Sequence, residues 1–228
     1  EDIYSLDGKI DQLDQFIPAP KMFNDTLETT SLHLRDANYD ISFPQSSLKI
    51  KKLYKLATGE SIDGVVAIDL EMTKNLLAAM GPIFLSTYNE EVDAGNLFEK
   101  VQFHAEAGFA EGTSGKKTFL SLLSQKLLEK ILPPAKESYP SLLAVVSQAL
   151  EEKHLLLQFY FESARGLSGL DLDGEIKNVE GDFLMVVDTN LGVNKANYYV
   201  KRSVGYEAER SNREGEVAGT LTVSYSHS

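Results

Sequence analysis

The stretch DGVVAIDLEMTKNLLAAMGPIFLST, residues 63–87, decides the fold. Its first part, DGVVAID, is a short apolar, β-branched run bounded by polar residues, and reads as a buried strand. Asp69 can cap the helix that follows, which carries Thr73, Leu76, Leu77 and Met80 on one face and stops at Gly81-Pro82. PIFLST then starts another strand. Upstream, SSLKIKKLYKLATG repeats the logic: Ser46 or Ser47 as cap, Ile50, Leu53, Tyr54 and Ala57 on one face, and Gly59 as the stop. Helix, strand, helix, strand in this order predicts a layered α/β domain, with a central mixed sheet covered by helices on both faces.

Reading outward adds elements at lower resolution. Helices are expected near 95–106 and 116–132, the second with Phe119, Leu122, Leu123, Leu127 and Ile131 inward, and another at 141–152. HLLLQFYF, 154–161, reads as a second inner strand. At the N-terminal end, Asp2 to Leu6 reads as a short strand closed by a turn at LDGK, followed by a connection to about Ser31 with one helical turn. From Gly181 the character changes: GDFLMVVDTN, KANYYVKRSVGYEAE and GTLTVSYSH are three strand signals separated by polar turns. The expected organisation is a layered α/β part over 1–180 and a C-terminal β segment over 181–228, which either extends the main sheet or forms a small β module.

Composition narrows the function classes. The chain has 228 residues, 43% hydrophobic and 25% charged, which is ordinary for a folded globular protein. Its formal charge of −12 repels a phosphate backbone, and no basic run interleaved with aromatics offsets it, so nucleic acid is not an expected partner. The absence of cysteine removes disulfides, thiol nucleophiles and thiolate metal ligands, and suits a surface or a cytosolic setting equally. No apolar run reaches bilayer-spanning length, and EDIYSLDGKI does not read as a signal peptide.

Local motifs assign no reaction. AEGTSGKKT places glycines and lysines before a helix, as a phosphate loop does, but Ala110 stands at the first glycine position and Lys117 where the metal-binding hydroxyl belongs. DTNLGVNKAN has the oxygen-rich look of a calcium loop, yet Tyr199 falls where a bidentate glutamate is needed, and an asparagine-rich turn accounts for it better. His33, His104, His154 and His227 are dispersed, with no pair at helical ligand spacing. LRD, residues 34–36, remains as a tripeptide that joins a guanidinium to a carboxylate just upstream of the alternating helix and strand signals, either as an anion and metal site or as an ordinary ion pair.

The segments LRDANYDISFPQSSLKIKKLYKLATGESIDGVVAIDLEMTKNLLAAMGPI and GDFLMVVDTNLGVNKANYYVKRSVGYE resemble a bacterial family catalogued as domain of unknown function four-zero-one-two. The resemblance implies a domain displayed outside the cell and anchored in the membrane by an upstream helix. A more distant likeness, carried by ATGESIDGVVAIDLEMTKNLLAAMGPI and GKKTFLSLLSQKLLEKIL, is to the LytR-CpsA-Psr cell-wall glycopolymer transferases. Those enzymes hold a polyprenyl pyrophosphate with several arginines and a Mg ion on aspartates, because phosphate charge must be neutralised as the leaving oxygen departs. That likeness implies Arg35, Asp36, Lys116 and Lys117 as ligand-binding residues, with Asp7 and Asp36 as metal ligands if the transferase reading holds. The register leaves two alignments open, one placing LRD and the other YSLDG at the family's arginine-aspartate tripeptide.

Departures from the pattern are specific. Gly115, Lys116 and Lys117 stand where the transferases place arginine, and lysine lacks the planar fork that grips a phosphate through two bonds. The expected role is therefore an exported, non-catalytic ligand-binding or scaffold module with no required cofactor. The alternative is a Mg-dependent phosphotransferase or pyrophosphatase acting on polyprenyl-linked glycans. The candidate partners are a polyprenyl-phosphate lipid, a cell-wall glycan and the membrane.

Overall fold

The structure, a computed structural model, describes residues 3–107, 115–132, 138–167, 170–177, 179–181, 183–189, 200–210 and 217–227. It is α/β, as the alternation predicts. The elements run α1 Ile3–Ile10, α2 Lys21–Leu27, a 3-10 turn Leu34–Asp36, α3 Phe43–Thr58, β1 Gly64–Ile68, α4 Leu70–Met80, β2 Ile83–Leu85 and β3 Glu90–Val92. They continue with α5 Leu97–Ala107, α6 Gly115–Ile131, α7 Tyr139–Glu151, β4 Leu155–Phe159, a second 3-10 helix Glu162–Leu167, β5 Val200–Arg210 and β6 Val217–His227. Two compact units result: Glu1–Pro18 with Ser31–Leu184, and Ala19–Thr30 with Met185–Ser228.

In the larger unit the expected faces pack as read. Leu76 and Leu77 of α4 join Phe119, Leu123 and Leu127 of α6, Ala149 of α7, Ile83 and Leu85 of β2 and Leu155 of β4 in one apolar cluster. A second cluster gathers Leu6 and Ile10 of α1 with Leu32, Leu34, Ala37 and Leu53, and Ile50, Tyr54 and Ala57 pack against it. Asp69 caps α4 by accepting from the Met72 amide at 2.9 Å. Gly59 ends α3 at φ 78°, in the left-handed region that a side chain would strain. The α3 cap differs from expectation: the helix starts at Phe43 with Ser42 at the cap position. Ser46 and Ser47 lie buried in its first turns and donate to the Asp40 and Pro44 carbonyls.

Three expectations are corrected. The N-terminal segment is a helix, because Leu6, Asp7 and Ile10 share a buried face at helical spacing and Gly8 sits in open space inside α1 rather than making a turn. The central mixed sheet is absent among the described residues; the strands form three separate two-stranded antiparallel pairs, β1–β4, β2–β3 and β5–β6. The β1–β4 pair is accordingly not buried on both faces, and Val66 and Ile68 are exposed. Finally, 183–189 within GDFLMVVDTN forms no strand. Side chains hold it instead: Arg202 donates to the Val186 carbonyl and Asp188, and Tyr225 donates to Asp188.

In the smaller unit β5 and β6, 11 residues each, pair antiparallel along their whole length. Cross-strand pairing puts Val204 against Val223 and Tyr206 against Leu221 on one face, with Ser203 against Ser224 and Glu207 against Thr220 on the other. Tyr206 also covers Gly219, where a Cβ would come within 2.6 Å of the phenol oxygen.

Candidate functional site

The site built around LRD begins in α1. Asp7 follows Leu6 on the helix's buried face and is itself 1% exposed. The 3-10 turn Leu34–Asp36 begins after His33, whose side chain makes no capping hydrogen bond to it. Asp7 supplies the cap from across the fold: its carboxylate accepts from the Leu34 amide at 2.6 Å and the Arg35 amide at 3.4 Å. The Arg35 guanidinium adds a third donor to the same carboxylate, Nη1 to Oδ2 at 3.3 Å, while its Nε lies 3.5 Å from the Asp36 carboxylate. One buried acid thus ties α1 to the turn through backbone and side chain together.

His33 completes the corner. Its ring is buried, and Nε2 pairs with the more exposed Asp11 carboxylate at 2.7 Å. Nδ1 is buried without a partner. Asp36 has its carboxyl held above the usual range, first because burial disfavours its charge, with Asp7 adding to the shift and Arg35 and His33 opposing it.

The structure therefore brings together Asp7, Arg35 and Asp36 of the sequence-predicted residues, and adds His33 and Asp11. Asp7 as a capping group was hidden in the sequence because its partners lie 27 and 28 positions away. The available signal was the Leu6–Asp7–Ile10 spacing, which puts an acid on an apolar helix face and asks for buried donors. Lys116 and Lys117 stand in the first turn of α6, a helix whose Phe119, Leu123 and Leu127 belong to the other apolar cluster. Their side chains lie outside the described residues, as does most of AEGTSGKKT and of DTNLGVNKAN.

Mg fits this corner poorly. It prefers compact octahedral coordination and keeps several waters, whereas Asp7 is enclosed and already accepts three hydrogen bonds. Among the described residues no group of three or more His, Asp or Glu side chains is placed to hold a metal. The arrangement can cap the 3-10 turn and brace it against α1. Arg35, about two-fifths exposed, presents the remaining edge of its guanidinium to solvent.

A mixed α/β chain whose first helix is stapled to a 3-10 turn by a buried aspartate is the class these features define. Residues 6–105 match the model of a family described as a protein of unknown function, DUF4012. The match contains the whole Asp7–Arg35 corner and ends within α5, so it does not include the C-terminal residues that also carry the resemblance. No curated protein and no solved structure matches the chain.

Proposed function

We propose that this chain is an exported, non-catalytic ligand-binding or scaffold domain of the bacterial cell envelope. The observation that carries the non-catalytic part is the engagement of Arg35. A transferase that cleaves a polyprenyl pyrophosphate needs guanidinium groups free to neutralise the departing phosphate. Here Nη1 and Nε of Arg35 both face carboxylates, Asp7 and Asp36, which compete with any anion for the same group. The surface setting rests on what the family resemblance implies, an anchor in the membrane upstream. No described helix is itself long and apolar enough to cross a membrane.

The candidate ligands on this reading are a polyprenyl-phosphate lipid or a cell-wall glycan, bound without turnover. Native mass spectrometry of the protein made in a bacterial host tests it, since a carried lipid appears as a discrete added mass. Protease added to intact, wall-stripped cells tests the display, with cleavage expected. Mg-dependent polyprenyl-pyrophosphate hydrolysis that disappears in both Arg35→Ala and Asp36→Ala, with unchanged melting temperatures, would overturn the reading in favour of the transferase.

A further inference from the structure

Strands β5 and β6 are each 11 residues long, about twice the common strand length. Their register runs unbroken from Val200 opposite His227 to Arg210 opposite Val217, so no bulge bends either strand. Among the described residues they pair only with each other, which leaves each strand one outward row of backbone amides and carbonyls. Two strands alone are marginally stable in water, and such a ribbon gains from a third strand or a packed layer.

The two outer edges differ in composition. β5 carries Lys201, Arg202, Glu207, Glu209 and Arg210, charges of the kind that keep an edge strand from pairing with another chain. β6, VAGTLTVSYSH, has no Lys, Arg, Asp, Glu or Pro. One face of β6 carries Val217, Gly219, Leu221, Val223 and Tyr225, and the other Ala218, Thr220, Thr222, Ser224 and Ser226. The first face is apolar, with Val217, Leu221 and Tyr225 exposed on it, and the second is mostly hydroxyl. The 183–189 segment, held by Arg202 and Tyr225 near one end of the ribbon, adds no strand to it.

An antiparallel copy of the same strand suits this edge. A two-fold axis normal to the sheet keeps each residue on its own face, and full overlap of residues 217–227 puts that axis at Thr222. Thr222 then faces Thr222, Leu221 faces Val223, Thr220 faces Ser224 and Gly219 faces Tyr225. Over 219–225 apolar meets apolar, hydroxyl meets hydroxyl, and no like charges meet. A partner recognised by charge finds nothing to read on this strand. We propose that β6 pairs with β6 of a second copy of this chain, giving a four-stranded antiparallel sheet with β5 of each copy outermost. The surface lies outside the 6–105 family match and stands apart from any ligand the larger unit binds.

Sedimentation velocity of the whole chain, across concentration and salt, tests it together with thiol crosslinking. The expected result is a monomer–dimer equilibrium that tightens as salt rises, because screening relieves the repulsion of two chains at −12 each. The chain has no cysteine, so Thr222→Cys supplies its only thiol. Residues directly opposite across antiparallel strands lie about 4.5–5.5 Å apart at Cα, within disulfide reach. Mild oxidation should therefore join Thr222→Cys into dimers far faster than Ser203→Cys, whose two copies would stand three strand spacings apart, roughly 14 Å. Thr222→Lys sets two ammonium groups face to face and should weaken the dimer about fivefold, and an equal mixture of Thr222→Lys and Thr222→Glu should restore it. Circular dichroism checks that each variant folds, and a loss through misfolding would not be recovered by mixing. A chain that stays monomeric at every concentration, growth past the dimer without limit, equal crosslinking of the two thiol variants, or a mixture that recovers nothing would each overturn the proposal.

Discussion

The Asp7 corner and the β4 edge are opposite solutions to the same problem of polar groups taken out of water. At the corner, the buried carboxylate faces two backbone amides and a guanidinium. At the β4 edge, the side-chain oxygen of Gln158 is buried with no hydrogen-bond partner. A saturated cluster stabilises and has little capacity left for a ligand; an unsaturated one costs stability and keeps that capacity. The eye-catching charges of LRD belong to the first kind, and the quiet, apolar HLLLQFYF carries the second.

The largest expected effect breaks the corner. Asp7→Ala leaves the buried Leu34 amide and the part-buried Arg35 amide without their acceptor and takes one of its two carboxylates from the guanidinium, and should destabilise the chain by roughly 2–4 kcal/mol. Urea unfolding followed by circular dichroism measures it. The amide resonances of 157–161 should keep their places in the folded fraction, and shifts there would join the two regions that the structure keeps in separate constellations.

Next in size is a change at the β4 edge that leaves the corner alone. A Cβ on Gly64 would lie 2.7 Å from the Gln158 carbonyl oxygen and 3.0 Å from the Phe159 ring. Backbone cannot yield as a flexible side chain does, so Gly64→Ala should push β1 away from β4 at a cost of about 1–3 kcal/mol. It should also shift the amide resonances of 157–161 while those of 34–36 stay in place, as heteronuclear NMR can report. A smaller effect, about 1 kcal/mol, is expected of Arg35→Ala, because the guanidinium is partly solvated and Asp7 keeps its two backbone donors. A larger loss in thermal melts would mean that the side chain, rather than the cap, holds the corner.

How much of this was legible follows from range. Helices α3, α4 and α6 and their inner faces were readable because their signals are local: apolar residues three and four apart, Asp69 before α4, Gly59 and Gly81 after α3 and α4. The partners of strands are not local, and apolar runs such as VVAID fit an inner strand of a wide sheet as well as one member of a two-stranded pair, so the mixed sheet was expected and three antiparallel pairs were found. Arg35 and Asp36 could be singled out as a charged pair, but not the buried carboxylate that Arg35 meets across 28 positions. The orphan at Gln158 was invisible for a further reason: an unsatisfied atom is defined by what surrounds it, and sequence names only the atom.

The smallest effect isolates Asp36, the partly buried carboxylate beside Arg35. Burial is the main reason that its carboxyl is held above the ordinary value of 3.8, with Asp7 adding to it and with Arg35 and His33 only partly opposing. Above 3.8 the unfolded chain gives up this proton before the folded one does, so the folded state binds more protons and stability falls as pH rises towards the folded value. Beyond the folded value the cost of the buried charge is present in full. Asp36→Asn removes that charge, and although it also weakens the contact with Arg35, the raised carboxyl means that the sum of interactions disfavours the ionised form. Thermal melts should therefore place the variant slightly above the wild-type chain near neutral pH, with the gap closing towards about pH 3, where Asp36 is protonated in both states. A variant that melts lower at neutral pH, with the deficit vanishing on acidification, would show that the Arg35–Asp36 pair outweighs the burial and that Arg35 stabilises the corner through Asp36 as well as through Asp7.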